Sequence, residues 1–156
     1  MEGGSGFNVC VPNFAKGFGV CAWNARAFAH HNPTIRKQKL RELSLLLKRF
    51  EVVIILEAHG SDDLFEQILK QHSRSHTVFS SFCCDSDGSP KSDTGGILIF
   101  CRKTEGVAVY SGALAQGRIL EIVMEFDSGR TMSICCVHNY DTYLCDLASF
   151  EAHVKV

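Results

Sequence analysis

The run VCAWN at residues 20–24 and the run VVIILE at residues 52–57 flank a long segment, residues 33–50, whose apolar side chains recur at helical spacing. Short apolar runs rich in β-branched residues predict strands, and a spacing of three and four residues predicts a helix. The stretch therefore predicts one β-α-β unit. Its strands end in polar residues, Asn24 and Glu57, and open α/β sheets build sites at the carboxyl ends of their strands. We expect these two side chains to converge on one point.

The helix of this unit is predicted over Pro33 to Phe50. Asn32 can cap it, and Pro33 suits its first turn. One face carries the apolar residues Leu40, Leu43, Leu46, Leu47 and Phe50, and the rest carries the basic residues Arg36, Lys37, Lys39, Arg41, Lys48 and Arg49. A solvated face is the ordinary interpretation of such charges, and a surface that faces phosphates is the alternative.

The remainder of the chain predicts a second helix, several strands and a final helix. The second helix opens at Ser61 and ends between Gln71 and Ser73, and a final helical pattern begins at Leu144. Strands are predicted at residues 77–84, 97–100, 107–110, 119–126 and 131–138, with an exposed loop at 85–94 and a hairpin turn at 127–129. The last helix runs to Val156 without a capping signal, which suggests truncation.

Composition predicts one soluble domain. The chain has 156 residues, of which 46% are apolar and 21% charged, and its net charge of -1 gives no overall basic field. A nucleic-acid contact would therefore need a local patch. No run approaches the about 18 apolar residues of a membrane span, and there is no signal peptide, so we expect an intracellular protein of the cytoplasm or nucleus with no membrane contact. Residues 1–18 are expected to be a flexible, glycine-rich leader before a domain at 19–156.

The eight cysteines contain no C-x-x-C pair, so the sequence gives no support to a zinc ribbon or a thioredoxin-type site. Most lie in apolar runs, where a reduced cysteine behaves as a small hydrophobic residue. Adjacent cysteines on a strand point to opposite faces, which argues against a joint metal clamp at Cys83-Cys84 or Cys135-Cys136. We expect core thiols in a reducing compartment.

Four landmarks in this order resemble the endonuclease/exonuclease/phosphatase superfamily. They are the strand ending in WNAR at residues 23–26, the strand ending in LE at 56–57, the GGILI strand at 95–99, and the strand ending in VHNY at 137–140. Each motif is short, and the ordered set carries the resemblance, which covers the first half of the family domain. It implies an α/β fold, a two-sheet sandwich of the deoxyribonuclease-like type, of which this chain supplies about the first half.

The resemblance also implies roles for three residues. Glu57 occupies the position of the family's metal-binding glutamate, Asn24 that of the asparagine that orients metal and scissile phosphate, and His138 that of a tyrosine or histidine that touches the phosphate. The implied cofactor is Mg²⁺ or Mn²⁺, which prefers hard oxygen ligands. The alternatives are a solvent-facing carboxylate for Glu57 and an ordinary loop residue for His138. The other histidines, at 30, 31, 59, 72, 76 and 153, are expected at the surface.

The catalytic motifs of the family's second half do not occur in the sequence. These are a G-D-x-N segment and a late S-D-H segment that supplies the general base, and Asp141 and Asp146 do not map onto them. Loss of a general base costs about two to four orders of magnitude in rate, so we expect this chain alone to be an incomplete and inactive N-terminal part. We also expect one sheet from each half, leaving an apolar sheet face for the missing half or a partner chain to cover.

Three functions stay open from the sequence. The first is metal-dependent phosphodiester hydrolysis by the full-length domain, endonuclease-like and of retrotransposon or abasic-site type, with DNA favoured over RNA. The second is a non-catalytic remnant or interaction module. The third is a phosphatase or sphingomyelinase branch of the same superfamily.

Overall fold

The predicted β-α-β unit is present. Strand β1 is Val20–Asn24, helix α1 is Pro33–Arg49 and strand β2 is Val52–Leu56. The two strands pair in parallel, with Asn24 opposite Leu56. The computed structural model describes residues 18–59, 62–84, 87–89 and 94–138. The predicted final helix and nearly all of the predicted leader lie outside these residues, and the domain boundaries stay a prediction.

Helix α1 begins and ends as its sequence signals indicate. The Asn32 side chain accepts a hydrogen bond from the Thr34 amide at 2.9 Å, and the Phe50 amide closes the last turn on the Leu46 carbonyl. Leu43 and Leu47 are buried. Polar caps satisfy amides that the first turn leaves without helical partners, and the apolar stripe then fixes which face turns inward.

The first sheet has four strands in the order β1-β2-β4-β3. After β2 come helix α2 at Asp62–His72, strand β3 at His76–Ser81 and strand β4 at Ile97–Arg102. Central strands β2 and β4 are buried on both faces, as their continuous apolar runs predict. On one face they pack against the two helices, through a core that includes Phe28, Leu43, Phe65, Val53, Ile55, Leu98 and Phe100.

The second sheet is an antiparallel meander in the order β5-β6-β7. Its strands are β5 at Val107–Ala115, β6 at Ile119–Phe126 and β7 at Thr131–Val137. The predicted hairpin between β6 and β7 is confirmed, with Ile122 opposite Ile134. Strand β5 is longer than the predicted 107–110, because hydrogen bonding to β6 continues through residues with no alternating apolar pattern.

The two sheets pack face to face. Their shared core joins Val52, Ile54, Ile97 and Ile99 of the first sheet to Leu120, Ile122, Met124 and Phe126 of the second. The expectation that an apolar face of the first sheet would be left uncovered is therefore wrong, because the alternating residues of β6 supply its cover. Both layers of a sandwich are present within the described residues, rather than one sheet.

The described cysteines form no disulfides. Cys83, Cys101 and Cys136 are buried as expected, while Cys135 is exposed because it lies on the opposite face of β7 from Cys136. Burial raises the pKa of the Cys101 thiol to about 12 and that of Cys136 to about 11. These two thiols act as core side chains. Across the described ranges, no helix has the length and apolar character to cross a membrane.

His76 corrects the expectation that the histidines outside the site lie at the surface. It opens β3 opposite Arg102 and is buried, with Nδ1 2.9 Å from the Ser75 hydroxyl. Its Nε2 has no hydrogen-bond partner among the described residues. Burial, then the neighbouring charges of His72 and Arg102, lower the pKa of His76, and burial lowers that of His72.

We expect stability to fall as the solution becomes acidic. The unfolded state takes up protons at the ordinary histidine pKa of 6.5, whereas folded His76 and His72 resist protonation. The free energy of unfolding should therefore change little between about pH 7 and pH 8 and decline as pH falls below 6.5. Urea denaturation from pH 8 to pH 5 measures this.

A His76→Gln variant should show a weaker pH dependence than the wild type. His30 has a lowered pKa as well, so some slope should persist in the His76 variant. An identical slope in the wild type and the His76 variant would contradict the assignment.

Candidate metal and phosphate site

Asn24 and Glu57 lie together at the carboxyl ends of β1 and β2. The Asn24 Nδ2 group donates a hydrogen bond to Glu57 Oε1 at 2.9 Å. Parallel pairing places Asn24 beside Leu56, so the residue after β2 lies next to the end of β1. The convergence expected from the sequence is therefore present.

His138 reaches the same carboxylate from the second sheet. It follows β7 directly, its amide donates to the Arg118 carbonyl at 2.8 Å, and its Nε2 lies 3.4 Å from Glu57 Oε1. The His138 side chain is only 8% exposed, against 27% for Glu57. The three predicted site residues thus form one cluster that spans both sheets, and their roles stay predictions.

The backbone is strained at this cluster. Within the described ranges, the non-glycine residues with positive φ are Arg26 at 45°, Ala27 at 63°, Glu57 at 54° and His59 at 49°. Such conformations are costly for residues with a Cβ and persist only where surrounding contacts fix them, commonly at functional sites. All four lie in the two segments that follow β1 and β2.

The segment after β2 is held by Gly95-Gly96. Ala58 and His59 donate their amides to the carbonyls of Gly96 and Gly95 at 3.1 and 3.0 Å. Both glycines have positive φ, 61° and 86°, which glycine adopts without a Cβ penalty. The glycine pair singled out in the sequence therefore fixes the backbone directly after Glu57.

Glu57 is ionised at neutral pH. The hydrogen bond from Asn24 is the largest cause of its lowered pKa, burial opposes the shift, and the nearby His138 and His59 add to it. An ionised, partly exposed carboxylate can hold a cation. Among the described residues, Asn24 and His138 both contact Glu57 at Oε1.

The donor set fits a hard cation. Mg²⁺ usually keeps several waters and uses one or two carboxylates with substrate phosphate, and Glu57 offers one carboxylate. The described ranges contain no cluster of three or more His, Cys, Asp or Glu residues that could hold a metal.

Sequence reasoning missed two features of the site. The first is Arg26, which is exposed in the strained loop after β1. The second is Lys39 of α1, whose ammonium group donates to the backbone of that loop. A groove beside them is lined by Trp23, Asn24, Ala25, Arg26, Ile35, Gln38, Lys39 and Glu42. The basic pattern of the helix included Lys39, but its partners are carbonyl oxygens, which no sequence pattern identifies.

The fold defines the class of structure: a partial α/β sandwich of the DNase I-like type. No protein-family model matches the chain, and no curated protein matches it. Solved structures do. An AP endonuclease, LMAP, from Leishmania major superposes with a TM-score of 0.58 at 10% identity, over 88% of this chain and 44% of that one. The human Nocturnin catalytic domain with a bound sulfate anion gives 0.54 at 17% identity, over 88% and 58%.

Both structures have folds of the endonuclease/exonuclease/phosphatase type, so the resemblance seen in the sequence holds for the fold. The chain spans about half the length of each, 44% and 58%. At these identities the likeness establishes architecture alone.

Proposed function

We propose that the chain is part of a metal-dependent phosphodiester hydrolase, endonuclease-like, with Glu57 as ligand of Mg²⁺ or Mn²⁺ and with Asn24 and His138 in contact with the scissile phosphate. The observation that carries the proposal is the joining of Asn24 and His138 at the Glu57 carboxylate, with Asn24 2.9 Å and His138 3.4 Å from one oxygen. The comparisons support it, because one matched protein is an AP endonuclease and the other holds a sulfate, a tetrahedral anion like phosphate.

Asn24 orients the carboxylate. Its Oδ1 accepts the Arg26 amide at 3.0 Å, so the opposite end of the side-chain amide must be the NH₂ group that donates to Glu57. This arrangement fixes the direction of the amide and holds Glu57 Oε1, which leaves Oε2 as the oxygen we assign to a cation. When bound, the cation would neutralise charge on the reacting phosphate.

The Nε2–H group of His138 can donate a hydrogen bond toward the same point. Its contact with a carboxylate oxygen requires the hydrogen on Nε2, because an ionised carboxylate only accepts. A phosphate oxygen drawn to this corner would meet the same donor. The side chain is almost fully buried, so the ring is already ordered. Its orientation therefore costs no further conformational entropy when a phosphate binds.

The chain does not supply the general base that the resemblance implies. G-D-x-N and S-D-H strings are absent from the 156 residues. We propose that the full-length domain acts on nucleic acid, DNA rather than RNA, in an intracellular compartment, and that a second half or a partner chain contributes the remaining groups. This chain alone is then incomplete for hydrolysis.

Replacing Glu57 by glutamine should weaken Mn²⁺ binding at least about tenfold, since even partners outside the first ligand shell contribute about 10- to 100-fold. Glutamine retains an oxygen that accepts from Asn24 but loses the charge that attracts the cation. Isothermal titration of the full chain with Mn²⁺ measures the effect. Glu105→Gln, at an exposed acid in the loop between β4 and β5, is the matched control, and equal binding by the Glu57 and Glu105 variants would sink the proposal.

Nicking of plasmid DNA with Mg²⁺ tests the reaction. The 156-residue chain should be inactive, and a chain extended past Val156 with G-D-x-N and S-D-H segments should nick, with loss of activity in Glu57→Gln. Inositol phosphates and sphingomyelin assayed beside DNA separate the phosphatase and sphingomyelinase alternatives. An extended chain with no activity on any of them would favour the non-catalytic module.

A further inference from the structure

We propose that Lys39 is a positioning residue for the candidate site, whose ammonium group holds the loop after β1 in the conformation that sets Asn24 against Glu57. The inference deepens the proposed function, and its expectation about metal binding rests on that function.

The ammonium group of Lys39 is fully used on three consecutive carbonyl oxygens. Its Nζ donates to Ala25 at 2.6 Å, to Arg26 at 2.6 Å and to Ala27 at 2.7 Å. An ammonium group has three donors and no acceptor, so each donor has one carbonyl. Charge-assisted hydrogen bonds of this kind are shorter and stronger than neutral ones.

Three successive carbonyls converge because the chain turns through left-handed conformations. Arg26 and Ala27 have φ of 45° and 63°, and neither is glycine. The convergence crowds the negative ends of three peptide dipoles. A positive charge at their meeting point offsets this repulsion and stabilises a turn that an alanine and an arginine would otherwise avoid.

Each peptide unit whose carbonyl oxygen accepts a hydrogen bond from Lys39 also donates its N–H group to Asn24 or Glu57. The Ala25–Arg26 unit donates its N–H to Asn24 Oδ1 at 3.0 Å. The next two units donate through the amides of Ala27 and Phe28 to the Glu57 carbonyl at 3.0 and 3.2 Å. The loop is therefore fixed between Lys39 on one side and the Asn24 and Glu57 groups on the other.

Loss of the ammonium group should first disturb the orientation of the Asn24 side chain. The Arg26 N–H that orients the Asn24 amide belongs to a peptide unit whose oxygen Lys39 holds, and the Asn24 amide in turn holds Glu57 Oε1 at 2.9 Å. If the peptide plane rotates, the Asn24 side chain loses its direction. Lys39 then acts on the carboxylate through two hydrogen bonds without touching it.

The test is Lys39→Met in the full chain, with Lys37→Met as the matched control. Methionine keeps the length and apolar stem of lysine, and Lys37 is an exposed lysine on the same helix. Without metal, amide hydrogen exchange of residues 26, 27 and 28 should become about tenfold faster or more in the Lys39 variant, with β2 and β4 amides unchanged. Mn²⁺ affinity should fall severalfold in the Lys39 variant and stay at the wild-type value in the Lys37 variant.

Unchanged exchange at residues 26–28 in Lys39→Met would overturn the proposal, as would uniformly faster exchange across both sheets, because that result describes a purely structural lysine. If the Lys39 variant does not fold, a measurement on the wild-type protein still tests the proposal. The Lys39 ammonium protons should exchange slowly enough to be seen by ¹⁵N NMR near neutral pH while those of Lys37 are not, and their absence would also overturn the proposal.

The exchange measurements separate this inference from the proposed function. They use no metal, so a wild-type chain that binds no Mn²⁺ would remove the function proposed for the site and leave the Lys39 result standing. Conversely, normal Mn²⁺ binding with an unaltered loop in Lys39→Met would remove only the positioning role.

Discussion

Replacing Gly117 by alanine should lower the free energy of unfolding by about 2–5 kcal/mol. Gly117 lies in the turn between β5 and β6, with φ of 68°, a conformation that costs residues with a Cβ about 1–2 kcal/mol. Its amide donates to the buried Ser81 hydroxyl at 2.8 Å. An added Cβ would lie 2.5 Å from the Cys83 nitrogen and 2.7 Å from its Cα, and would also meet its sulfur. Backbone cannot move aside as a flexible side chain can.

Gly129→Ala is the matched control for that change. Gly129 has φ of 74° in the β6–β7 turn, but its added Cβ would meet nothing within 4 Å. Gly129→Ala should therefore lower the free energy of unfolding only by the cost of a left-handed backbone for alanine, about 1 kcal/mol. Chemical denaturation of both variants measures the difference. Equal losses would show that the second sheet's turn does not press against the end of β3.

Replacing Ile122 by alanine should cost about 2–5 kcal/mol, because the removed atoms leave a cavity between the sheets. Ile122 is fully buried and faces Val52, Ile54, Ile97 and Ile99 across the sandwich. If this variant is too unstable to purify, Ile122→Val should still show a loss of about 0.5–1.5 kcal/mol.

Val123→Ala is the control, since the next residue of β6 points to the opposite face and is half-buried. It should cost clearly less than Ile122→Ala in the same denaturation experiment. Similar losses at positions 122 and 123 would contradict the face-to-face packing of the two sheets.

Local patterns predicted most elements well. The helical spacing and caps of α1, the buried runs of β2 and β4, and the alternation of β6 are each confirmed. Errors fell where a tertiary contact outweighed a local preference. Strand β3 stops at Ser81 instead of Cys84, and the Phe82 ring then stacks on Phe65 with centroids 5.3 Å apart. His76, polar by sequence, is buried by its register beside β4.

The sequence alone determined the β-α-β unit, the faces of its helix, and the meeting of Asn24 and Glu57, because strand period, helix period and parallel pairing are local or nearest-neighbour properties. The tertiary structure alone decided the rest. It brought His138 from the second sheet to Glu57, covered the first sheet with β6, and placed Lys39 against the carbonyls of Ala25, Arg26 and Ala27. These contacts depend on how two sheets and a helix fit in space, and backbone carbonyls are alike at every position of a sequence.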